Sequence, residues 1–159
     1  MEKLVLKPNH PLKWVLYPHT IPFNMNIQNN PPAIAWPEIH ELAKAAMEKA
    51  YAPYSHFPVG VAALVSDGRY ISGCNVENAS YGLGLCAECG LVSNLVQSGG
   101  GRLVAVVCVD AAGNYLAPCG RCRQLLFEHG GPEMLLMTPD GPQTMASMLP
   151  WAFGPDDLK

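Results

Sequence analysis

Two short stretches constrain this chain more than anything else in it: Cys86-Ala87-Glu88-Cys89 and Pro118-Cys119-Gly120-Arg121-Cys122-Arg123-Gln124. Each carries a Cys-x-x-Cys pair, and thiolates at that spacing suit zinc, which takes soft sulfur ligands in tetrahedral geometry. To share one ion, the two stretches must meet in space. Two arrangements are then open. Four cysteines on the metal close the site and only fasten the fold. With Cys86, Cys119 and Cys122 alone, a fourth position stays open for water, and Glu88, two residues beyond a ligand, is placed to move protons.

Composition narrows the setting. A chain of 159 residues is long enough for one domain with a proper core. Its net charge of −3 comes without a basic cluster, so no electrostatic grip on a nucleic-acid backbone is expected. Charged residues make up only 14% of the chain, a composition that fits subunit association. No apolar run is long enough to span a bilayer. The amino-terminal stretch lacks the apolar core and cleavage site of a signal peptide. Six cysteines in such a chain are expected to be reduced or metal-bound, which places the protein in the cytoplasm.

Residues 1–35 read as an irregular or disordered leader, broken by Pro8, Pro11, Pro18, Pro22, Pro31 and Pro32. The domain itself is expected over 36–159. A first helix begins near Trp36, with Pro37 in its first turn, an apolar face of Ile39, Leu42, Ala43, Ala46, Met47 and Ala50, and a stop at Pro53. Phe57 to Ser66 reads as a buried strand, Asp67-Gly68 as a turn, and Arg69 to Cys74 as the antiparallel partner. A polar loop over 75–85 precedes a second helix from about Cys86, whose apolar face is Leu91, Val92, Leu95 and Val96. Leu103 to Val109 is apolar almost throughout, as a central strand covered on both faces must be. A third helix from about Cys119 stops at Gly130-Gly131, and Met134 to Met137 forms a further strand. Cys74 and Cys108 read as small buried hydrophobes. Helices alternating with strands give a layered α/β fold.

If both cysteine stretches open helices, the partial positive charge of the helix N-termini lowers the cost of gathering three thiolates on one ion. Cys119 and Cys122, one turn apart, can then face one metal. The 29 residues between Cys89 and Cys119 exceed the roughly 15–20 usual for a four-cysteine double knuckle. A glutamate that is no ligand, close after the first ligand and upstream of Pro-Cys-x-x-Cys, is the signature of zinc deaminases of nucleobases. The combined pattern therefore favours the open site.

The chain resembles the small, homotetrameric cytidine deaminases over about Trp36 to Leu158. The residues that carry the likeness are Tyr54-Ser55-His56-Phe57-Pro58-Val59-Gly60, Asn75-Val76-Glu77-Asn78-Ala79-Ser80-Tyr81, Cys86-Ala87-Glu88, Pro118 to Gln124, and Phe153-Gly154-Pro155-Asp156-Asp157-Leu158. The resemblance implies a three-layer α/β/α sandwich around a mixed five-stranded sheet. It implies zinc on Cys86, Cys119 and Cys122, and Glu88 as the proton carrier in hydrolytic deamination of cytidine and deoxycytidine, a step of pyrimidine salvage. Asn75 and Glu77 would bind the ribose, Phe57 would pack on the pyrimidine, and the Ala87 backbone would meet the base edge. Tyr81 and Phe153 would reach into a neighbouring subunit's site.

One residue departs from the family pattern. Many members carry an arginine where Cys89 stands, and its guanidinium offsets the charge of the zinc thiolates. Arg121 is the residue expected to supply that charge here. Three rival readings are open on the sequence: a deaminase of another cytosine-containing molecule such as blasticidin S, a polynucleotide editor, and a non-catalytic module stapled by zinc. The Asn75 and Glu77 pair with the Phe153 tail argues against the first, Cys86 as first ligand and the negative net charge against the second. A Cys89 thiolate on the metal would establish the third.

Overall fold

The computed structural model describes residues 32–158, so the leader reading lies, for residues 1–31, outside the described residues. The first helix, α1 (Trp36–Met47), carries Pro37 in its opening turn and buries Ile39, Ala43 and Ala46. Leu42 stays 37% exposed, because small alanines let the helix lie close to the sheet along a narrow stripe. The helix does not run on to Pro53. The Tyr51 N–H donates to the Asn75 carbonyl at 3.0 Å, and the Glu77 N–H donates to the Tyr51 carbonyl at 2.8 Å. Backbone groups that a longer helix would use are thus committed to a parallel bridge between Tyr51 and Val76.

Strand β1 (Gly60–Val65) pairs antiparallel with β2 (Tyr70–Cys74) on one side and with β3 (Leu103–Val109) on the other. It begins three residues later than the apolar pattern suggests. Residues 57–59 are held instead by Asn75, whose Nδ2 donates to the Phe57 carbonyl and whose Oδ1 accepts from the Val59 N–H. Helix α2 (Ala87–Gln97) joins β2 to β3, and α3 (Gly120–Gly130) joins β3 to the parallel strand β4 (Leu135–Thr138). A fifth strand, β5 (Gly141–Thr144), pairs antiparallel with β4, and a single turn of helix, α4 (Met145–Met148), follows it. Sequence patterning missed β5 because of Pro142. The strand lies at the sheet edge, where a missing N–H breaks no inner ladder.

The sheet order is β2-β1-β3-β4-β5, a mixed five-stranded sheet covered on both faces. Ile39 and Ala43 of α1 pack on Ala62, Leu64, Ala105 and Val107. The alternate residues Val61, Ala63, Val65, Val106 and Cys108 face Ala87, Leu91, Leu95 and Leu126 of α2 and α3. This is the three-layer sandwich that the resemblance implies. Two glycines set how closely the layers approach. A Cβ on Gly60 would come within 2.0 Å of the Ala43 carbonyl oxygen, and one on Gly73 within 2.4 Å of the Leu91 backbone nitrogen. Gly73 therefore fixes the height of α2, and with it the cysteine that caps that helix.

Candidate active site

Cys86 caps the N-terminus of α2 and Cys119 that of α3, both in extended backbone conformation. That position sets each sulfur at a helix N-terminus, whose partial positive charge favours a thiolate. Cys122 lies one turn into α3 and is buried. The sulfurs of Cys86, Cys119 and Cys122 all lie within 4.8 Å of one another, the one such cluster among the described residues. Sulfurs at zinc bond length on a tetrahedron are about 3.8 Å apart, so the set fits a zinc ion with little movement. Cys89 is not part of the cluster. Its sulfur sits 3.6 Å from Nη2 of Arg121, which places the expected guanidinium beside it and leaves a three-sulfur donor set.

The electrostatics favour a cation at this point. Burial pushes the Cys122 thiol well above its ordinary value, and the Glu88 carboxylate beside it pushes further. Burial also raises Cys86. The backbone N–H of Cys122 acts in the opposite direction on Cys119 and holds it below the usual thiol value. A divalent cation among the three sulfurs would reverse the burial effect on all of them.

Glu88 stands in the first turn of α2 and is 4% exposed. Its Oε1 lies 3.7 Å from Sγ of Cys108 in β3. Ala87 is buried beside it. The 75–85 loop builds the wall of a cleft of about 410 Å³ lined by Tyr54, Ser55, Glu77, Asn78, Tyr81 and Gly84. That volume suits a small-molecule ligand. The Glu77 carboxylate accepts from the N–H groups of Tyr54 and Ser55 and from the Ser55 hydroxyl. The Ser55 hydroxyl, followed by the Tyr54 N–H, keeps that carboxyl below its usual range. His56 adopts φ of 55°, in the left-handed region, and turns the chain so that Phe57 stands half out of the surface.

Phe153 stands apart. Its ring is 59% exposed, and its carbonyl is held by Nε2 of Gln124 at 2.8 Å, tying the tail to α3. Tyr81 is 86% exposed.

Residues 37–138 match the family model for the cytidine and deoxycytidylate deaminase zinc-binding region. The chain belongs to this family. A cytidine deaminase of Mycobacterium tuberculosis (strain CDC 1551 / Oshkosh) is 56% identical over 127 residues, covering 80% of this chain and 96% of the relative. The crystal structure of cytidine deaminase from Mycobacterium leprae superposes with a TM-score of 0.73 at 64% identity, over 74% of this chain and 99% of that one. That from Mycobacterium tuberculosis gives 0.75 at 55% identity, over 77% and 99%.

As a member of the deaminase family, the chain shows what motif reading left out. Cys108 is buried in the core as expected, and its sulfur also touches Glu88, the one buried carboxylate among the described residues, a contact that no local pattern reveals. Cys74 was expected to be buried and is only partly so. Ser55, which donates to Glu77, and Gln124, which donates to the Phe153 carbonyl, make contacts that the motifs alone do not reveal. Arg123 likewise donates to the carbonyls of Pro118 and Met148, fixing the segment that presents Cys119.

Proposed function

We propose that this protein is a zinc-dependent cytidine deaminase that converts cytidine and deoxycytidine, with water, to uridine and deoxyuridine, with release of ammonia. The observation that carries the reading is the three-sulfur cluster with the Glu88 carboxylate buried against it, in a chain of this family. Cys86, Cys119 and Cys122 would hold the zinc, one per subunit. Zinc in a site with three protein ligands and an open fourth position is a Lewis acid that brings the pKa of a bound water near neutrality.

The chain's own groups do the rest. Glu88 accepts a proton from the water that adds at C4, passes it to N3 of the ring, and carries a second proton to the departing nitrogen. Its burial keeps those transfers away from bulk water. Ala87 offers backbone groups to the base edge, and Phe57 packs on the pyrimidine. Asn75 spends one amide hydrogen on the Phe57 carbonyl and keeps the other for a ribose oxygen. Glu77 accepts three bonds from its own chain, and a carboxylate has roughly four acceptor sites, so one remains for a ribose hydroxyl. Such a pair tolerates a missing 2′-hydroxyl, consistent with turnover of both nucleosides.

Tyr81 and Phe153, both exposed, are assigned to the site of a neighbouring subunit in a homotetramer. Among the described residues no helix is long and apolar enough to cross a membrane. Neither a nucleic-acid nor a membrane partner is called for, and the reaction belongs to nucleoside salvage in the cytoplasm. The test is to incubate the zinc-loaded protein with cytidine and separate the products. Equimolar uridine and ammonia are expected; unchanged cytidine refutes the reading.

A further inference from the structure

Glu88 is one of only two buried polar side chains among the described residues, the other being Thr138. A carboxylate at that depth needs donors. Sγ of Cys108, itself 0% exposed, lies 3.7 Å from its Oε1. Cys108 projects from β3 toward the layer of α2 and α3, so the same packing that seats α2 on the sheet brings the first-turn glutamate over this strand. Burial pushes the Cys108 thiol well above its ordinary value, and the charge of Glu88 adds to the shift. The group therefore stays S–H and can only donate to a carboxylate.

We propose that Cys108 is a positioning residue for the deamination: its thiol fixes one carboxylate oxygen of Glu88 and so aims the other at the substrate nitrogen. The inference rests on Glu88 being the proton carrier. Cys108 forms no bond to substrate and changes no oxidation state. Its effect is on the fraction of time the carboxylate spends in reacting geometry, and small misplacements of a reacting group are costly. A plain core cysteine would matter only through its volume.

Two variants separate the possibilities. Cys108→Val keeps the volume and removes the donor; Cys108→Ser keeps a donor in a smaller side chain. With zinc content equal to the parent, Cys108→Val is expected to lower kcat on cytidine about tenfold, with KM moving less than twofold, and Cys108→Ser to stay within about threefold of the parent. Equal kcat for the Val variant and the parent overturns the proposal, as does a Ser variant as slow as the Val one. A measurement independent of activity uses the S–H stretching band of the zinc-loaded parent. It is expected to shift to higher frequency in Glu88→Ala, where the acceptor is gone; an unmoved band overturns the proposal. If Glu88→Gln retained full activity, the reading of Glu88 would fall instead, an outcome separate from either result at Cys108.

Discussion

Cys119 and Cys122 differ in what surrounds their sulfurs, and the difference sets how the site should titrate. Cys119 is held below the usual thiol value by a backbone N–H, while burial raises Cys122 and Cys86. Zinc must displace protons from the raised pair, so its affinity should climb with pH and fall on acidification. Competition with a chromophoric chelator should show zinc released progressively as pH is lowered, and Cys122→Ser should bind it more weakly than the parent at every pH. Arg121 offers a second check at this scale. Its guanidinium contacts Cys89, and three thiolates around a zinc ion would carry net negative charge. Arg121→Gln is expected to weaken zinc binding several-fold and to displace the pH profile of kcat. If both are unchanged, Arg121 has no part in balancing that charge. The meeting of Cys86, Cys119 and Cys122 near Glu88 was legible because metal chemistry favours that spacing. The partner of Glu88 was not, because nothing local links residue 88 to residue 108.

At the scale of elements, the helices were legible and the edges of the sheet were not. The apolar period marked α1, α2 and α3, and the cysteines marked the starts of two of them. Leu91 and Leu95 are buried in the core beneath α2 and Val92 packs against it in part, whereas Val96, on the same apolar period, is 62% exposed. β5 was hidden by Pro142, and the early end of α1 by a bridge that depends on the distant Val76. Two elements yield predictions. Gly73→Ala forces a methyl group against the backbone of α2, where nothing flexible can give way. It should cost about 2–3 kcal/mol, seen as a Tm lowered by several degrees, and should reduce kcat by lifting Glu88 with its helix. The second concerns the 54–55 turn that grips Glu77. A carboxylate whose folded pKa is depressed contributes above its unfolded value, and that contribution is lost as pH falls through the folded value. KM for cytidine should therefore be flat from about pH 5.5 upward. In Ser55→Ala, which removes the largest cause of the depression, the acid rise in KM should begin at a higher pH.

For the molecule as a whole, the layered α/β architecture followed from alternating patterns, and the five-stranded count from the family likeness. The exposed rings of Phe153 and of Tyr81, which also lines the cleft of its own chain, are the groups that the proposed assembly would place in a neighbouring subunit's site. That assignment predicts a tetramer by light scattering. It also predicts that Phe153→Ala and Glu88→Gln, each slow alone, regain part of the parent activity when dissociated and reassembled together, because one subunit supplies the ring and the other the carboxylate. No recovery would mean that each site is made within one chain. The central claim is that three cysteines and one glutamate make an open, catalytic zinc site. Its most direct test is the ultraviolet absorbance of the zinc-loaded protein mixed with cytidine or deoxycytidine, run beside Glu88→Gln at equal zinc content. The account predicts rapid conversion of both nucleosides to their uracil products, slowed by at least about 10²-fold in the variant. No turnover by the parent, with zinc bound and Cys89 unreactive toward thiol reagents, would contradict it and leave a closed four-cysteine site in its place.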